Sequence, residues 1–592
     1  MTTAHVTAAA PAPAPLPARL DALAAVLGDA DDPANPLGDR AVLDADERGE
    51  MLTAGEEALH AFGLNAEFVP ADLGGRLTRL DHLVDVMRAV YRRDPCLGLG
   101  YGASSFIAGV NVWTAGDDTQ RRAAAALLGA GGRIAVAYHE LAHGNDMTRT
   151  EFTALPAGGR LLLDGRKEVI TNVRRADALV LFARTSTAPG SRSHSQLYAE
   201  KADLAADRTA YLPRYRTTGM RGVQLGGVRF DACPLPAGSV LGAPGRGLET
   251  ALRSFQITRT TLVSMSAGIV DSALETTLRH VRARRLYGRT AADLPHVRSV
   301  LTGVFSDLLT ADCFATVGTR ALHLLPAETA IHAQAVKFFV SQALLDAMNR
   351  LSGVLGAAFY LREGPAARFQ KLLRDIQPVG FGHAARAACQ VSLLPQLPLL
   401  ARRAWREGHA APSALFAPGE ELPPLDFGAL ALSASGRESL GTSLAAGLAA
   451  MPDGQGPAYR LLRRYGEHFA RELTRLGEDC AALDPAELSV TASPYAYDLT
   501  SRYVDVLVAA SCFETWRRAR HSGTPFLSDP HWAAAALYRL STPRGAPPRT
   551  LPAPLEDALW ERLSERHRTG GGYLLVPRSP HHHPVGTPGR QQ

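Results

Sequence analysis

The sequence predicts a mostly helical protein with a small central β domain, and three observations carry that fold class. Residues 248–285 run for 38 positions with Gly268 as the only Gly or Pro, which requires one long helix. Between 134 and 244 the texture changes to short apolar runs cut by Gly, Pro and Asp, the pattern of strands and turns. On both sides of that stretch the apolar residues return to helical spacing. The elements then follow in order. Residues 1–42, rich in Ala, Pro and Asp, read as a flexible lead. Residues 43–133 form an N-terminal α domain, in which Leu80, Leu83, Val84, Val86, Met87 and Val90 mark one helix face. Residues 134–245 form a small, barrel-like β domain with strands at 134–138, 160–163, 179–183 and 227–230. Residues 246–400 form a four-helix bundle: the long helix, then 297–325, 328–351 and a fourth from near Ala384. Residues 401–541 add a helical extension with helices at 457–483, 495–521 and 531–540. Residues 542–592 read as a mostly flexible tail interrupted by a helix at 555–568.

Composition narrows the classes of function. With 592 residues, 46% hydrophobic and 20% charged, the chain is globular and long enough for several domains. Six cysteines stand without a CxxC pair, which argues against a zinc cluster or a disulfide scaffold and for a reducing compartment. No uninterrupted apolar run reaches the roughly 18 residues of a membrane span, and the start lacks a cationic leader, so a cytoplasmic protein without membrane contact is expected. The net charge of +5 comes from 63 basic and 58 acidic residues spread along the chain, only four of the basic ones Lys, which argues against nucleic-acid binding. The run His581, His582, His583 sits among Pro and Gly and reads as a solvated tail.

No P-loop, HExxH, GxSxG or strand-linked GxGxxG is present, so chemistry is sought in the β domain and its flanks. There the chain reads Tyr138 His139 Glu140 Leu141 Ala142 His143 Gly144 Asn145 Asp146, then Gly165 Arg166 Lys167 Glu168 Val169 Ile170 Thr171 Asn172. These segments resemble the TEPxxGSD loop and GxKxWITN strand of the acyl-CoA dehydrogenase family. Gly245 Arg246 Gly247 Leu248 with Thr258 Arg259, then Arg284 Arg285 Leu286 Tyr287 Gly288, then Leu372 Leu373 Arg374 Asp375 are similar to three further family segments in the same order.

The resemblance implies an acyl-CoA dehydrogenase-like fold with FAD held between the β domain and the bundle. It places Tyr138, His139 and Asn145 along the flavin edge, Thr171 near flavin N5, and Arg284 and Tyr287 on the cofactor of a neighbouring subunit, in a homodimer or homotetramer. Arg259 is implied in substrate binding. The implied reaction introduces an α,β double bond into a fatty acyl thioester, held on CoA or an acyl carrier protein, with oxygen or an electron-transfer flavoprotein as electron acceptor. The extension and the Ala-Pro lead resemble a longer bacterial branch that serves acyl chains of secondary metabolites such as lipopeptides.

Three departures from the family pattern stand out. Val169 occupies the place of the Trp beside the flavin, and His139 that of the Thr in TEP. The carboxylate that removes the α-proton is missing from both places the family uses, where this chain has Gly380 Phe381 Gly382 His383 Ala384 and Thr258. His383 is then the candidate base, and its titration is expected near the unperturbed value of about 6.5. The other readings are a base from elsewhere, a flavin-dependent monooxygenase on the same fold, and a non-catalytic acyl-binding partner.

Overall fold

The computed structural model describes residues 13–576 apart from Asn145, Pro452, Asp453, Ser522, Gly523 and Arg544. The N-terminal part is helical: α1 (Leu16–Leu27), α2 (Asp39–Arg48), α3 (Thr53–Phe62), α4 (Leu80–Arg93), α5 (Ser104–Ala115) and α6 (Asp118–Gly129). The sheet follows as β1 (Ile134–Ala137), β2 (Thr153–Ala157), β3 (Arg160–Thr171), β4 (Ala178–Arg184), β5 (His194–Glu200), β6 (Thr209–Leu212) and β7 (Leu225–Pro236).

The helix α7 (Gly247–Ala283) leads to a two-stranded hairpin, β8 (Arg285–Leu286) and β9 (Arg289–Thr290), then to α8 (Pro295–Leu324) and α9 (Thr329–Leu355). After α10 (Ala367–Asp375), the fourth bundle helix is broken into α11 (Arg386–Leu393) and α12 (Leu397–Arg402), because Pro395 and Pro398 each remove a helix donor. The extension holds α13 (Ala404–Glu407), α14 (Leu440–Ala449), α15 (Pro457–Ala481), α16 (Pro494–Ala519), α17 (Pro525–Ser528), α18 (Pro530–Leu540) and α19 (Ala553–Thr569).

The strands pair in the order β1-β4-β2-β3-β7-β6, with β5 on the other side of β4. Both faces of β4 are buried: Leu179, Leu181 and Ala183 enter the core inside the sheet, while Ala178, Val180 and Phe182 face α5 and α7. Period-two alternation on a strand covered on both sides produces that split. The β3–β7 ladder shifts register between Lys167 and Ile170, and at this bulge Val169 sits at φ 58°. A β-branched residue in the left-handed region is strained, and the bulge turns the strand end toward the helices.

Helices α7, α8 and α9 pack on one another, and α4 lies against α7. The α4–α7 approach is close enough that a Cβ on Gly268 would meet the Arg88 carbonyl at 2.5 Å; Arg88 Nε donates to the Ser264 carbonyl at 2.9 Å across the same contact. Helix α8 is long and apolar enough to cross a membrane by length and composition, and 83% of its most apolar window is buried inside the protein.

Two ends of the chain correct the sequence reading. From residue 13 the expected flexible lead is ordered: Leu16, Leu20, Leu23 and Leu27 of α1 are buried in the main core, and buried Arg19 pairs with Glu67. Pro17 lies in the first turn, where a missing N–H costs nothing, so the prolines start this helix instead of preventing it. The expected tail is also part of the core as far as Leu575. Leu555, Leu559 and Leu563 bury one face of α19, and Leu575 N donates to Asp312 at 2.7 Å. Tyr573 N reaches Asp271 at 2.5 Å, and the Tyr573 hydroxyl donates to Glu275. The three-histidine run lies outside the described residues.

Candidate active site

The end of β1, the bulge of β3, α7, α9 and the turn after α10 meet at one point, and Phe255 on α7 is its centre. The Phe255 ring stands edge-on to Tyr138 at 5.7 Å and to His383 at 6.0 Å. The Arg259 guanidinium lies over the same ring at 4.8 Å. One turn of helix separates Phe255 from Arg259, so both project from one face of α7.

Arg259 fixes the turn that carries His383. Its Nε donates to the His383 carbonyl at 2.7 Å and its Nη1 to Gln334 Oε1 on α9 at 3.0 Å. Lys337, one turn further along α9, donates from Nζ to the Val379 carbonyl at 2.6 Å. From below, Asp375 at the end of α10 accepts from Met220 N and from Lys371, both at 2.6 Å. Inside this frame His383 and Ala384 hold φ values of 59° and 149°, conformations that non-glycine residues keep only when their surroundings impose them.

The electrostatics are one-sided. No Asp or Glu forms an ion pair with Arg259 or Lys337 among the described residues. Burial pushes Lys337 down to about 8 and lowers Arg259. His383 is pushed down to about 3, first by burial and then by Lys337, His139 and Arg259. Burial and neighbouring groups thus move the titration far below the unperturbed value of about 6.5: the imidazole is neutral throughout the ordinary working range, and its proton affinity is low first because it is buried and then because cations face it.

The predicted residues divide accordingly. His139 is half-buried, with its Nδ1 3.5 Å from the Gly144 carbonyl, its charged form disfavoured by burial, and it stands within electrostatic reach of His383. Val169 adjoins it, since Glu168 N donates to the His139 carbonyl at 2.9 Å. Thr171 ends β3 opposite Leu225 and is half-buried. Tyr138 departs from the expectation of a ligand-facing side chain: it is buried, bonded through its hydroxyl to Asn111 and, at 2.8 Å, to Gln196 Nε2. Its aromatic packing inside the sheet–helix contact consumes the group. Asn145 lies outside the described residues. Arg284 and Tyr287 are not brought to this point. They sit on the β8–β9 side of α7, about 38 Å along the helix from Arg259 at 1.5 Å per residue, and Tyr287 is 90% exposed.

Sequence reasoning missed Phe255, Gln334 and Lys337. One signal was available for Lys337. The chain uses Arg almost everywhere, and three of its four lysines, Lys167, Lys337 and Lys371, are buried; a compact ammonium with an adjustable pKa is suited to such places where a guanidinium is not.

Comparison with known proteins bears on the fold that carries this site. The profile "Acyl-CoA dehydrogenase, C-terminal domain" matches residues 245–382, from the start of α7 to the residue before His383. A probable acyl-CoA dehydrogenase of Mycobacterium leprae is 23% identical over 335 residues, covering 55% of this chain and 84% of that protein. Among solved structures, an acyl-CoA dehydrogenase of Bacillus anthracis complexed with FAD superposes with a TM-score of 0.68 at 15% identity, over 94% of this chain and 95% of that one. A prolyl acyl carrier protein oxidase superposes with a TM-score of 0.55 at 18% identity, over 63% of this chain and 97% of that one. The first superposition includes the extension, so the added helices belong to a shared fold. With its helix–sheet–helix order and the domain match on the helices that hold Arg259 and Lys337, the chain has the acyl-CoA dehydrogenase fold and is similar to that family's C-terminal domain over residues 245–382.

Proposed function

We propose that this protein is an FAD-dependent dehydrogenase or oxidase that desaturates the Cα–Cβ bond of an acyl thioester, with His383 in the role of base. The observation that carries the reading is the placement of His383: a neutral imidazole in a strained turn, clamped by Arg259, at the junction of sheet and bundle.

The residues at the junction fit FAD. Buried polar atoms there, Gln196 Oε1 and Thr258 Oγ1, make no hydrogen bond among the described residues, and Gln196 bridges Tyr138 to the first residue of α7 at 3.2 Å. Arg259 and Lys337 have no carboxylate partner among the described residues, which suits an electron-rich ligand. When bound, FAD supplies the hydride acceptor. His383 supplies an unprotonated nitrogen for the α-proton. Arg259 and Lys337 favour negative charge as it develops on the thioester, and that charge in turn offsets the repulsion that, second to burial, keeps His383 a weak base.

The finer assignments are part of the same proposal. An acyl group on a carrier protein or on CoA is supported by the mildly basic chain, and a homodimer or homotetramer in which Arg284 and Tyr287 reach a neighbour's cofactor by the exposure of that hairpin; a role in bacterial secondary metabolism rests on the resemblance of the lead and extension alone. Anaerobic mixing with acyl-CoA and acyl-carrier panels tests the reading. Bleaching of the flavin absorbance by a thioester supports it. A protein bleached by none, which consumes oxygen once its flavin is chemically reduced, is a monooxygenase instead.

A further inference from the structure

A second polar cluster, away from the junction, lies where the extension meets the bundle. Glu328 stands at the N-cap position of α9 without a side-chain capping bond, and His332 follows one turn later. Glu438 arrives from the segment before α14. Glu328 is 8% exposed, His332 and Glu438 1% each, and one ligand-type atom from each residue lies within 4.8 Å of the others.

The hydrogen bonds inside the cluster leave a defined remainder. Glu328 Oε2 accepts from Ser439 N at 2.9 Å and from Ser439 Oγ at 3.0 Å, and Glu438 Oε1 accepts from Gly441 N at 2.6 Å. Glu438 Oε2 and both ring nitrogens of His332 make no hydrogen bond among the described residues. His332 Nε2 stands 3.8 Å from Glu328 Oε2, too far for one. No Lys or Arg forms an ion pair with either Glu among the described residues. Two buried carboxylates facing an imidazole, with no cation, carry a large desolvation penalty.

We propose that Glu328, His332 and Glu438 bind one divalent transition-metal ion of the zinc class, which ties the extension to the bundle. A dication balances the two carboxylates, and the free Glu438 oxygen and imidazole nitrogen become ligands. An imidazole with two carboxylates is a zinc-type donor set, whereas magnesium and calcium favour oxygen alone. Small side-chain rotations close the observed spacing to the roughly 2.0–2.2 Å bonds that zinc makes. The other acidic cluster, Asp94, Cys96 and Asp375, differs in kind: Lys371 already fills it, 2.6 Å from each carboxylate.

The test uses full-length protein with His581, His582 and His583 replaced by Ala, which removes the tail's own affinity for metal. After chelation, titration with zinc and buffer exchange, this parent retains one zinc per chain by elemental analysis and melts several degrees higher than its chelated form. His332→Ala and Glu438→Gln lose the ion and the shift, and cobalt gives the parent visible absorption bands that Glu438→Gln lacks. Glu438→Gln also keeps the test open if His332→Ala does not fold, because it imitates a protonated carboxyl in the same volume. A parent that retains no zinc, or a Glu438→Gln protein that retains as much zinc as the parent, overturns the proposal.

Discussion

The Arg259 guanidinium and the His383 main chain are joined at 2.7 Å across 124 residues of sequence. That bond makes the position of the candidate base depend on α7. A guanidinium can serve His383 and Gln334 at once because its donors lie in one rigid plane.

Arg259→Lys removes this double hold while keeping the charge. Flavin reduction by substrate is expected to fall roughly a hundredfold, the usual consequence of a misplaced reacting group, with FAD content unchanged. Stopped-flow absorbance measures it, and a rate within twofold of the parent would remove Arg259 from the positioning of the turn.

His383→Ala is expected to slow the same step by about a hundredfold or more. In the parent, no inflection is expected near pH 6.5, since burial and three neighbouring positive or ionisable groups push His383 down to about 3. Lys337 behaves differently: it is charged below about 8, so KM for an electron-rich substrate should rise above that pH. Loss of the rise in Lys337→Met ties it to this amine; an unchanged profile assigns it elsewhere.

Lys167 holds the sheet to the β1 end, donating to Glu140 at 2.7 Å, to Thr150 at 2.8 Å and to the Tyr138 carbonyl at 3.1 Å. Lys167→Met leaves a buried carboxylate without its cation and should destabilise by about 3–5 kcal/mol. Adding Glu140→Gln should recover part of the loss. Urea denaturation of the single and double variants checks this, and strict additivity would mean the pair is not coupled.

Tyr573→Phe should cost about 1.5–3 kcal/mol by removing a hydrogen bond to a charged group, Glu275. Although burial raises the Glu275 pKa, hydrogen bonds from His567 and Tyr573 hold it below the ordinary carboxylate range. A depressed carboxylate stabilises above its unfolded pKa and loses that contribution as pH falls through its folded one. The difference between variant and parent should therefore be largest above about pH 4.5 and shrink on acidification, measured by thermal melts across pH.

Val169→Gly relieves a strained φ of 58°, and the parent's strain is of order 1–3 kcal/mol. The variant should be about 1 kcal/mol more stable after the entropy cost of Gly. Lower stability would show that packing of the half-buried Val outweighs the strain.

Much of the architecture was legible because periodicity is local. The face of Leu80, Leu83, Val84, Val86, Met87 and Val90 is buried on α4, and the uninterrupted run after Gly247 is α7. The lead and the tail were not legible for a related reason: α1 spaces its leucines regularly, but Ala and Pro between them hide the stripe, and α19 shows its purpose only against α8.

Sequence alone determined the order of helix, sheet and helix, the family motifs and the absence of Glu at position 383. Tertiary structure decided what surrounds His383. Arg259, Gln334, Lys337 and His383 come from three separate elements, and burial and mutual repulsion act through space. Neither the low proton affinity of His383 nor the lack of counterions to Arg259 and Lys337 among the described residues can therefore be read from chain order. The same holds for Glu328, His332 and Glu438, whose desolvation arises only when the extension closes over α9.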